Sequence, residues 1–512
     1  MQYYLGLDNG GSVTKAALFD VKGGEVGVAS MQTRVITPRP DVVERDMEEM
    51  WQANCSVIRD VIHKSGIDPV DIIGVAVCGH GKGLYLWGKN NKPVRNGIVS
   101  TDNRAWEIVQ KWRQNGVEEQ IFGLTYQHIL ACQPVALLAW LKQNEPQTIE
   151  NIKWIFECKD YIRFRLTGEA RAEITDYSGA NLINLNTAQY DPTLLEMFNL
   201  ADLEYCLPSI CRSTDICGYI TQETEELTGL RAGTPVAGGM FDIDACAIAV
   251  GITNEDHICM IAGTWSINEY IRRTPVSDGS VLMNSLFCIP GYFLIEECSP
   301  TSAGNLQWFI DELLPEYKAL RLSSNQNVFD ELNLWVESIS PQDYCPIFIP
   351  FLMGSNAHPN AKGNFIGVSN FHNRKYLTRS VFEGITFSHR YHLDKLLATR
   401  KKPPSSIRLA GGASKSATWV QMFADIMHLP VEVVEVNEAG ALGCAIAASV
   451  AVGNHDNLEA AVSQMCRVKP AMQPDASQYL VYERKYDLYK KVLNALDGIW
   501  DDVQGLVENA DS

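Results

Sequence analysis

The chain has 512 residues, 46% of them hydrophobic and 20% charged, with a formal net charge of −18. That length exceeds what one hydrophobic core organises, so two domains or more are expected. The acidic balance argues against nucleic-acid binding by a broad basic surface. No uninterrupted apolar run approaches the roughly 20 residues that span a bilayer, so no membrane is expected as a partner either.

From the N-terminus, "MQYYLGLDNG" lacks the basic stretch and apolar run of a secretory signal. The fourteen cysteines form no Cys-x-x-Cys pair, and with the scattered histidines they show no zinc spacing. They read as reduced thiols of a cytoplasmic protein. Residues 3–8 and 15–20 are predicted to be two strands joined by a Gly-Gly-Ser turn, with a third strand at 25–31. "ERDMEEMWQANCSVIRDVIHKSG" reads as a helix: Met47, Met50, Trp51, Val57, Ile58, Val61 and Ile62 recur at helical spacing, and Gly66 supplies the stop. A buried strand at 72–77 follows and ends in the glycine-rich loop "CGHGKG". Hairpin, strand, helix, strand is the opening of an α/β domain with a mixed sheet.

A second hairpin is expected over 257–273, "HICMIAGTWSINEYIRR", and a strand, Gly-Gly turn and helix over 405–427. Two hairpins opening two halves divide the chain into domains 1–250 and 251–512. A last helix is predicted over about 484–507.

The glycine turns and their carboxylates are the candidate chemistry. A strand-end carboxylate beside glycine N–H groups suits a metal–phosphate site, because glycines admit phosphate oxygens and Mg²⁺ keeps part of its hydration shell. Asp8, Gly10, Gly11, Ser12 and Thr14 have that chemistry; taken alone, a plain hairpin with Asp and Gly in the turn is the commoner reading of such residues. Gly263-Thr264 repeats the pattern. Gly411-Gly412-Ala413 would face a nucleotide at a helix start or form only a tight connection. None fits G-x-x-x-x-G-K-[ST], and "GHGKG" lacks the dinucleotide spacing that a dehydrogenase would need. In "TPVAGGMFDIDACAIAVG", Asp242 or Asp244 would accept a substrate proton, and one of them would cap the helix starting near 243. His80 and Lys82 can donate to hydroxyls or a keto oxygen. Asp102, oriented by Arg104, can accept from hydroxyls or form a surface ion pair.

Together these segments resemble the FGGY carbohydrate kinases of the actin-like ATPase superfamily, from Leu5 to about Val452. "GNFIGVSNFHNRKYLTRSVFEG" (363–384) is similar to the family's C-terminal signature at Gly363, Phe365, Gly367, Val368, Leu377, Ser380, Phe382 and Glu383; Tyr376 departs from it. "LAGGASKSATWVQMFAD" and "NEAGALGCAIAA" match the adenosine-side segments. The resemblance implies two ribonuclease-H-like domains with a cleft between them, and ATP-dependent phosphorylation of a small sugar or polyol. It implies Mg²⁺ at Asp8 and phosphate loops at Gly10, Gly11 and Ser12 and at Gly263 and Thr264. It implies nucleotide contacts at Gly411, Gly412, Ala413 and Ser416, and Asp242 as general base, with Asp244 two residues too late. His80, Lys82 and Asp102 would meet the sugar. Gly81-Lys82 stands where D-xylulose and glycerol kinases carry other pairs. The Gly-Lys-Gly loop looks most like that of L-xylulose kinases, so a ketopentose such as L-xylulose is expected. Erythritol, glycerol, ribulose, D-xylulose or a keto-sugar acid are the alternatives. Dimers are common in the family, so a homodimer is expected. An actin-like filament protein would lack the 363–384 signature, and a chaperone-type ATPase would carry a substrate-binding β domain and lid.

Overall fold

The computed structural model describes residues 1–39, 41–263, 265–323, 327–355, 357–358 and 360–510. They form two compact units. The first comprises Met1–Thr253, Ile271–Ile295 and Glu435–Arg467; the second comprises Asn254–Tyr270, Glu296–Val434 and Val468–Ser512. Segments 271–295 and 435–467 thus pack with the N-terminal half, whereas reading along the chain places everything after 250 in the second domain.

In the first unit the strands Tyr3–Asn9, Val13–Asp20 and Glu25–Gln32 run as an antiparallel meander. Ile72–Gly79 pairs parallel to Tyr3–Asn9 on its other side, so the sheet is mixed as expected. Alternating burial along Tyr3–Asn9 is replaced by a nearly continuous buried run, the mark of a strand covered on both faces. One cover is the helix Met47–Ser65. Asp46 caps it, accepting from the Glu48 and Glu49 N–H groups at 2.8 and 2.9 Å, and Gly66 ends it in the left-handed region at φ 66°. All seven apolar residues picked out by helical spacing are buried in the core under this helix. Each contributes about 1.5–3 kcal/mol by leaving water.

The other cover is the helix Ala439–Ala451, "AGALGCAIAASVA". Its small residues let it lie directly on backbone. A Cβ on Gly6 would fall 2.1 Å from the Ala441 carbonyl oxygen, and a Cβ on Gly443 2.2 Å from the Ala245 carbonyl oxygen. The latter lies in the helix Asp242–Ala249.

In the second unit His257–Ala262 pairs antiparallel with Ser266–Arg272 and parallel with Ser406–Ala410, and Val431–Val433 extends the sheet in parallel. The expected second hairpin and strand–turn–helix are therefore neighbours in one mixed sheet. The signature of residues 363–384 enters the 25-residue helix Arg374–Ala398. Gly384 is needed there because a Cβ would meet the Phe348 carbonyl oxygen at 2.3 Å. Glu383 is buried between Arg379 (2.8 Å) and Lys485 (3.0 Å), and Phe382 packs on Trp419. These residues of the signature hold the helix in place.

The final helix is two helices, Tyr479–Leu496 and Trp500–Ala510, joined by a 3₁₀ turn at Asp497–Ile499. Gly498 at the junction is the local reason. No described helix is long and apolar enough to cross a membrane.

Candidate functional site

In the first unit the strand Tyr3–Asn9 ends with Asp8 half-buried and Asn9 buried. Asn9 exchanges amide hydrogen bonds with Asn54 of the helix Met47–Ser65, at 2.8 and 3.2 Å, which pins the strand end. The hairpin tip beyond it is held from below. The Gly10 carbonyl accepts from Arg45 at 2.9 Å, and the Ser12 carbonyl accepts from the Thr33 N–H at 2.9 Å. Gly11 and Ser12 are exposed, and a Cβ on Gly11 would meet open space. Thr14 turns inward instead, fully buried, with its hydroxyl donating to Asn9 at 3.3 Å. It supports the tip and does not line it.

Asp8 lies against the start of the helix Ala439–Ala451: a Cβ on Gly440 would fall 2.9 Å from its Oδ2 and 3.2 Å from the Cys78 Sγ. Burial pushes the Asp8 carboxyl up, Lys15 opposes this, and Glu438 adds to it. Lys15 and Glu438 are themselves paired at 2.7 Å. "NEAGALGCAIAA", read as an adenosine-side segment, therefore packs beside Asp8 in the first unit.

Asp242 is the first residue of the helix Asp242–Ala249. Neither aspartate caps it; the cap position is Phe241, with no side-chain hydrogen bond, which corrects the expectation from sequence. Asp244 is fully buried and accepts from the Cys288 N–H at 3.1 Å, an internal role. Burial raises the Asp242 carboxyl well above the usual range; the Asp8 and Asp176 charges add to this and Lys82 counters it. Asp242, Asp8, Asp176 and Lys82 thus share one electrostatic neighbourhood.

The loop "CGHGKG" borders it. A side chain at Gly81 would collide with the Phe241 ring at 2.5 Å and the Asp176 Oδ1 at 2.7 Å. Lys82 takes φ +63°, its N–H donates to Glu157 at 3.0 Å, and its Nζ lies 5.2 Å from the Phe241 ring centre. His80 is buried, with Nε2 2.8 Å from the Tyr85 hydroxyl and Nδ1 3.4 Å from the Gly81 carbonyl. Burial, with the Arg45 charge, drives its pKa down to about 3, so the ring is neutral and engaged within the protein. Asp102 is also internal: it accepts from the Val43 N–H at 2.7 Å and from the Arg104 guanidinium at 2.8–3.1 Å. Arg104 in turn pairs with Glu44 at 2.8 Å and lies over Trp140. This is neither a surface pair nor an open acceptor.

Sequence reasoning did not single out Asp176, Glu157 or Lys159. Lys159 is fully buried between Asp160 (2.7 Å), Asp176 (3.2 Å) and Glu173 (3.3 Å). Glu173 accepts from Thr175 Oγ1 at 2.7 Å, and that hydroxyl accepts from the Phe241 N–H at 2.9 Å. The network therefore braces the residue before Asp242. The signal was present in "ECKDYIRFRL", where charges interrupt an aromatic and apolar helix.

In the second unit Gly411 takes φ +85°, and a Cβ there would meet the Ala262 carbonyl oxygen at 2.6 Å and the Gly263 nitrogen at 2.9 Å. The two glycine turns are therefore in contact. Gly263 faces open space. Gly412–Lys415 forms a 3₁₀ turn with Ala413 buried. Ser416 caps the helix Ala417–Met427, accepting from the Trp419 N–H at 3.1 Å and donating to Asn333 at 2.7 Å. Thr264 lies outside the described residues.

Among the described residues no group of three or more His, Cys, Asp or Glu side chains could hold a metal ion. A hydrated Mg²⁺ needs only one or two carboxylates with water and phosphate. Asp8, a half-buried carboxyl at the strand end whose charge acts on Asp242, fits such an ion by its oxygen donors.

Residues 3–249 match the N-terminal domain of the FGGY family of carbohydrate kinases, and residues 258–452 match its C-terminal domain. The L-xylulose/3-keto-L-gulonate kinase of Escherichia coli (strain K12) is 37% identical over 499 residues, 97% of this chain and 98% of its own. The autoinducer-2 kinase of the same strain is 26% identical, covering 99% of this chain and 96% of its own. A ligand-bound xylulose kinase from Lactobacillus acidophilus superposes with a TM-score of 0.87 at 24% identity, covering 98% of this chain and 100% of that one.

Proposed function

Because the chain belongs to the FGGY family of carbohydrate kinases, and is an ATP-dependent sugar kinase with that family's two-domain α/β fold, we propose that its acceptor is L-xylulose or 3-keto-L-gulonate and that Asp242 is the general base. The observation that carries the base assignment is the placement of Asp242. It stands at a helix start with its carboxyl raised by burial and by Asp8, and with Lys82 as the opposing cation. A carboxylate in that setting takes up a proton readily as an acceptor hydroxyl loses it.

The acceptor assignment rests on the full-length relative of that name and on Gly81-Lys82. Phe241 and Asp176 fill the space a side chain at 81 would need, and Lys82 brings a positive charge to the same loop. That charge suits a keto oxygen and, in 3-keto-L-gulonate, the carboxylate. His80 and Asp102 act as supports, since both are engaged within the protein.

Gly11 and Ser12 at the exposed hairpin tip of the first unit would offer backbone donors to phosphate oxygens, while Gly10, whose N–H donates to the Val13 carbonyl at 3.0 Å, would shape that tip. In the second unit the Gly263 N–H donates to the Trp265 carbonyl at 3.3 Å, so Gly263 would give a phosphate room, and Thr264 belongs to the same proposal. Gly411, Gly412 and Ala413, with Ser416 capping the next helix, take the nucleoside side. Asp8 would hold Mg²⁺, which supplies positive charge to the transferring phosphoryl oxygens when bound. The chain's own task is to orient the acceptor hydroxyl and receive its proton at the Asp242 carboxylate. A homodimer remains part of the proposal, and sedimentation velocity reads it directly.

Asp242→Asn keeps the size of the side chain and removes its basicity. It should lower kcat by about 10³-fold or more while ADP binding, read by calorimetry, stays near wild type. A near-normal kcat in this variant would remove Asp242 as the base.

A further inference from the structure

The helix Arg374–Ala398 carries a histidine that the family signature does not include. His389 is fully buried, and its ring makes three hydrogen-bond contacts. Nδ1 lies 2.9 Å from Asn268 Oδ1 and 3.1 Å from Ser266 Oγ, and Nε2 lies 2.8 Å from Ser302 Oγ. Ser266, Asn268 and Ser302 are themselves buried.

The chemistry fixes the tautomer. Asn268 Nδ2 donates to the Glu297 carbonyl at 3.3 Å, a group that only accepts, so the amide oxygen is the atom facing the ring. The ring must then carry its proton on Nδ1. Nε2 is left as an acceptor for the Ser302 hydroxyl. Burial keeps the ring neutral.

Its partners belong to two different segments. Ser266 and Asn268 begin the strand Ser266–Arg272, three residues after Gly263, and Ser302 lies in the turn before the helix Gly304–Trp308. His392, one turn later, repeats the arrangement: Nε2 contacts Ser299 Oγ at 3.1 Å and Nδ1 contacts Glu297 Oε2 at 3.3 Å. The signature helix is thus joined by polar bonds to the strand that leaves the Gly263 turn and to the 299–302 segment.

We infer that His389 is a positioning residue for nucleotide binding: as the Nδ1–H tautomer it ties the start of the strand after Gly263 to the Ser302 turn and so fixes the backbone of the phosphate-binding turn. This rests on the reading that the Gly263 turn meets the phosphates of ATP. Backbone donors must be held in place to act on a phosphate, and a buried neutral imidazole can bridge a donor and an acceptor at once without bringing a charge. Glutamine cannot span the same three partners, and alanine at 302 leaves Nε2 unpaired.

The test uses the full chain, ADP binding by calorimetry and thermal unfolding without ligand, on three variants. His389→Gln and Ser302→Ala should each weaken ADP binding about tenfold as the turn loses its fixed position, together with the modest fall in Tm that one lost buried hydrogen bond brings. Gly263→Val, whose side chain enters open space, should weaken ADP binding with the fold intact. If Gly263→Val weakens ADP binding and the other two stay within about twofold of wild type, the role of His389 is overturned while the turn's role stands. If Gly263→Val binds ADP as the wild type does, the reading of the turn falls. Should His389→Gln fail to fold, Ser302→Ala decides alone, and loss of Tm without a specific loss of ADP binding counts against the proposal.

Discussion

At Glu118 and His128 two opposite titrations meet in one hydrogen bond of 2.8 Å. Burial alone would raise the Glu118 carboxyl, but His128, the Ile129 N–H and Arg113 outweigh it and hold it at about 2. The bond to Glu118 raises His128 above its ordinary 6.5, against a smaller effect of burial. Nε2 of His128 reaches the Gly279 carbonyl at 3.2 Å, so the pair joins segment 271–295 to the helix Val117–Thr125. The signs follow from linkage. The depressed carboxyl stabilises fully above its ordinary 4.5 and loses that contribution as pH falls toward 2. The raised imidazole stabilises fully below 6.5 and loses its share as pH rises through its folded value. His128→Gln should therefore lower Tm most at about pH 5.5 and least at about pH 9. A Tm deficit that does not change with pH would mean that the ion pair is not what His128 contributes. The same scale shows the limits of residue reading. Asp8 and Asp242 can be singled out as candidates, because a carboxylate beside glycines at the end of an apolar run is a local pattern. The internal bonding of Asp102 and His80 cannot be read that way, because Glu44, Val43 and Tyr85, which engage them or their partners, are brought there only by the fold.

At the scale of elements, the hairpins, the helix Met47–Ser65 and the strand Ile72–Gly79 follow from periodicity and turn residues to within a few positions. Period-2 and period-3.6 patterns are local, so they survive without knowledge of partners. The helix Ala439–Ala451 shows what is not local. Its sequence is similar to an adenosine-side segment of the family, and only the fold shows its glycines packed closely on the strand Tyr3–Asn9 and the helix Asp242–Ala249. Gly443→Val should cost about 3 kcal/mol or more, because the neighbour at 2.2 Å is backbone and cannot swing away. Gly123, inside the helix Val117–Thr125 with open space around it, is the control. Gly123→Ala should raise stability by about 1 kcal/mol. Denaturant unfolding of both variants reads the contrast, and a Gly443→Val protein as stable as wild type would contradict the packing described.

For the molecule as a whole, the order of motifs carried more than any single one. Each glycine turn alone reads as a connection, and the long 363–384 pattern gave them a common meaning. In the structure that pattern serves chiefly as scaffold, with Glu383 held by Arg379 and Lys485 and Gly384 against Phe348. The assignment to compact units was less legible, since segments 271–295 and 435–467 join the N-terminal half through contacts far apart in sequence. Aligned relatives carry different named acceptors, so the fold alone does not name the sugar. The most direct measurement is ADP release by the purified chain with Mg²⁺ and ATP across L-xylulose, 3-keto-L-gulonate, D-xylulose, ribulose, erythritol and glycerol. The account predicts sugar-dependent ADP release with kcat/KM highest for L-xylulose or 3-keto-L-gulonate, by about tenfold or more over the others. A clear preference for D-xylulose or glycerol, or ADP release indifferent to every sugar, would contradict it.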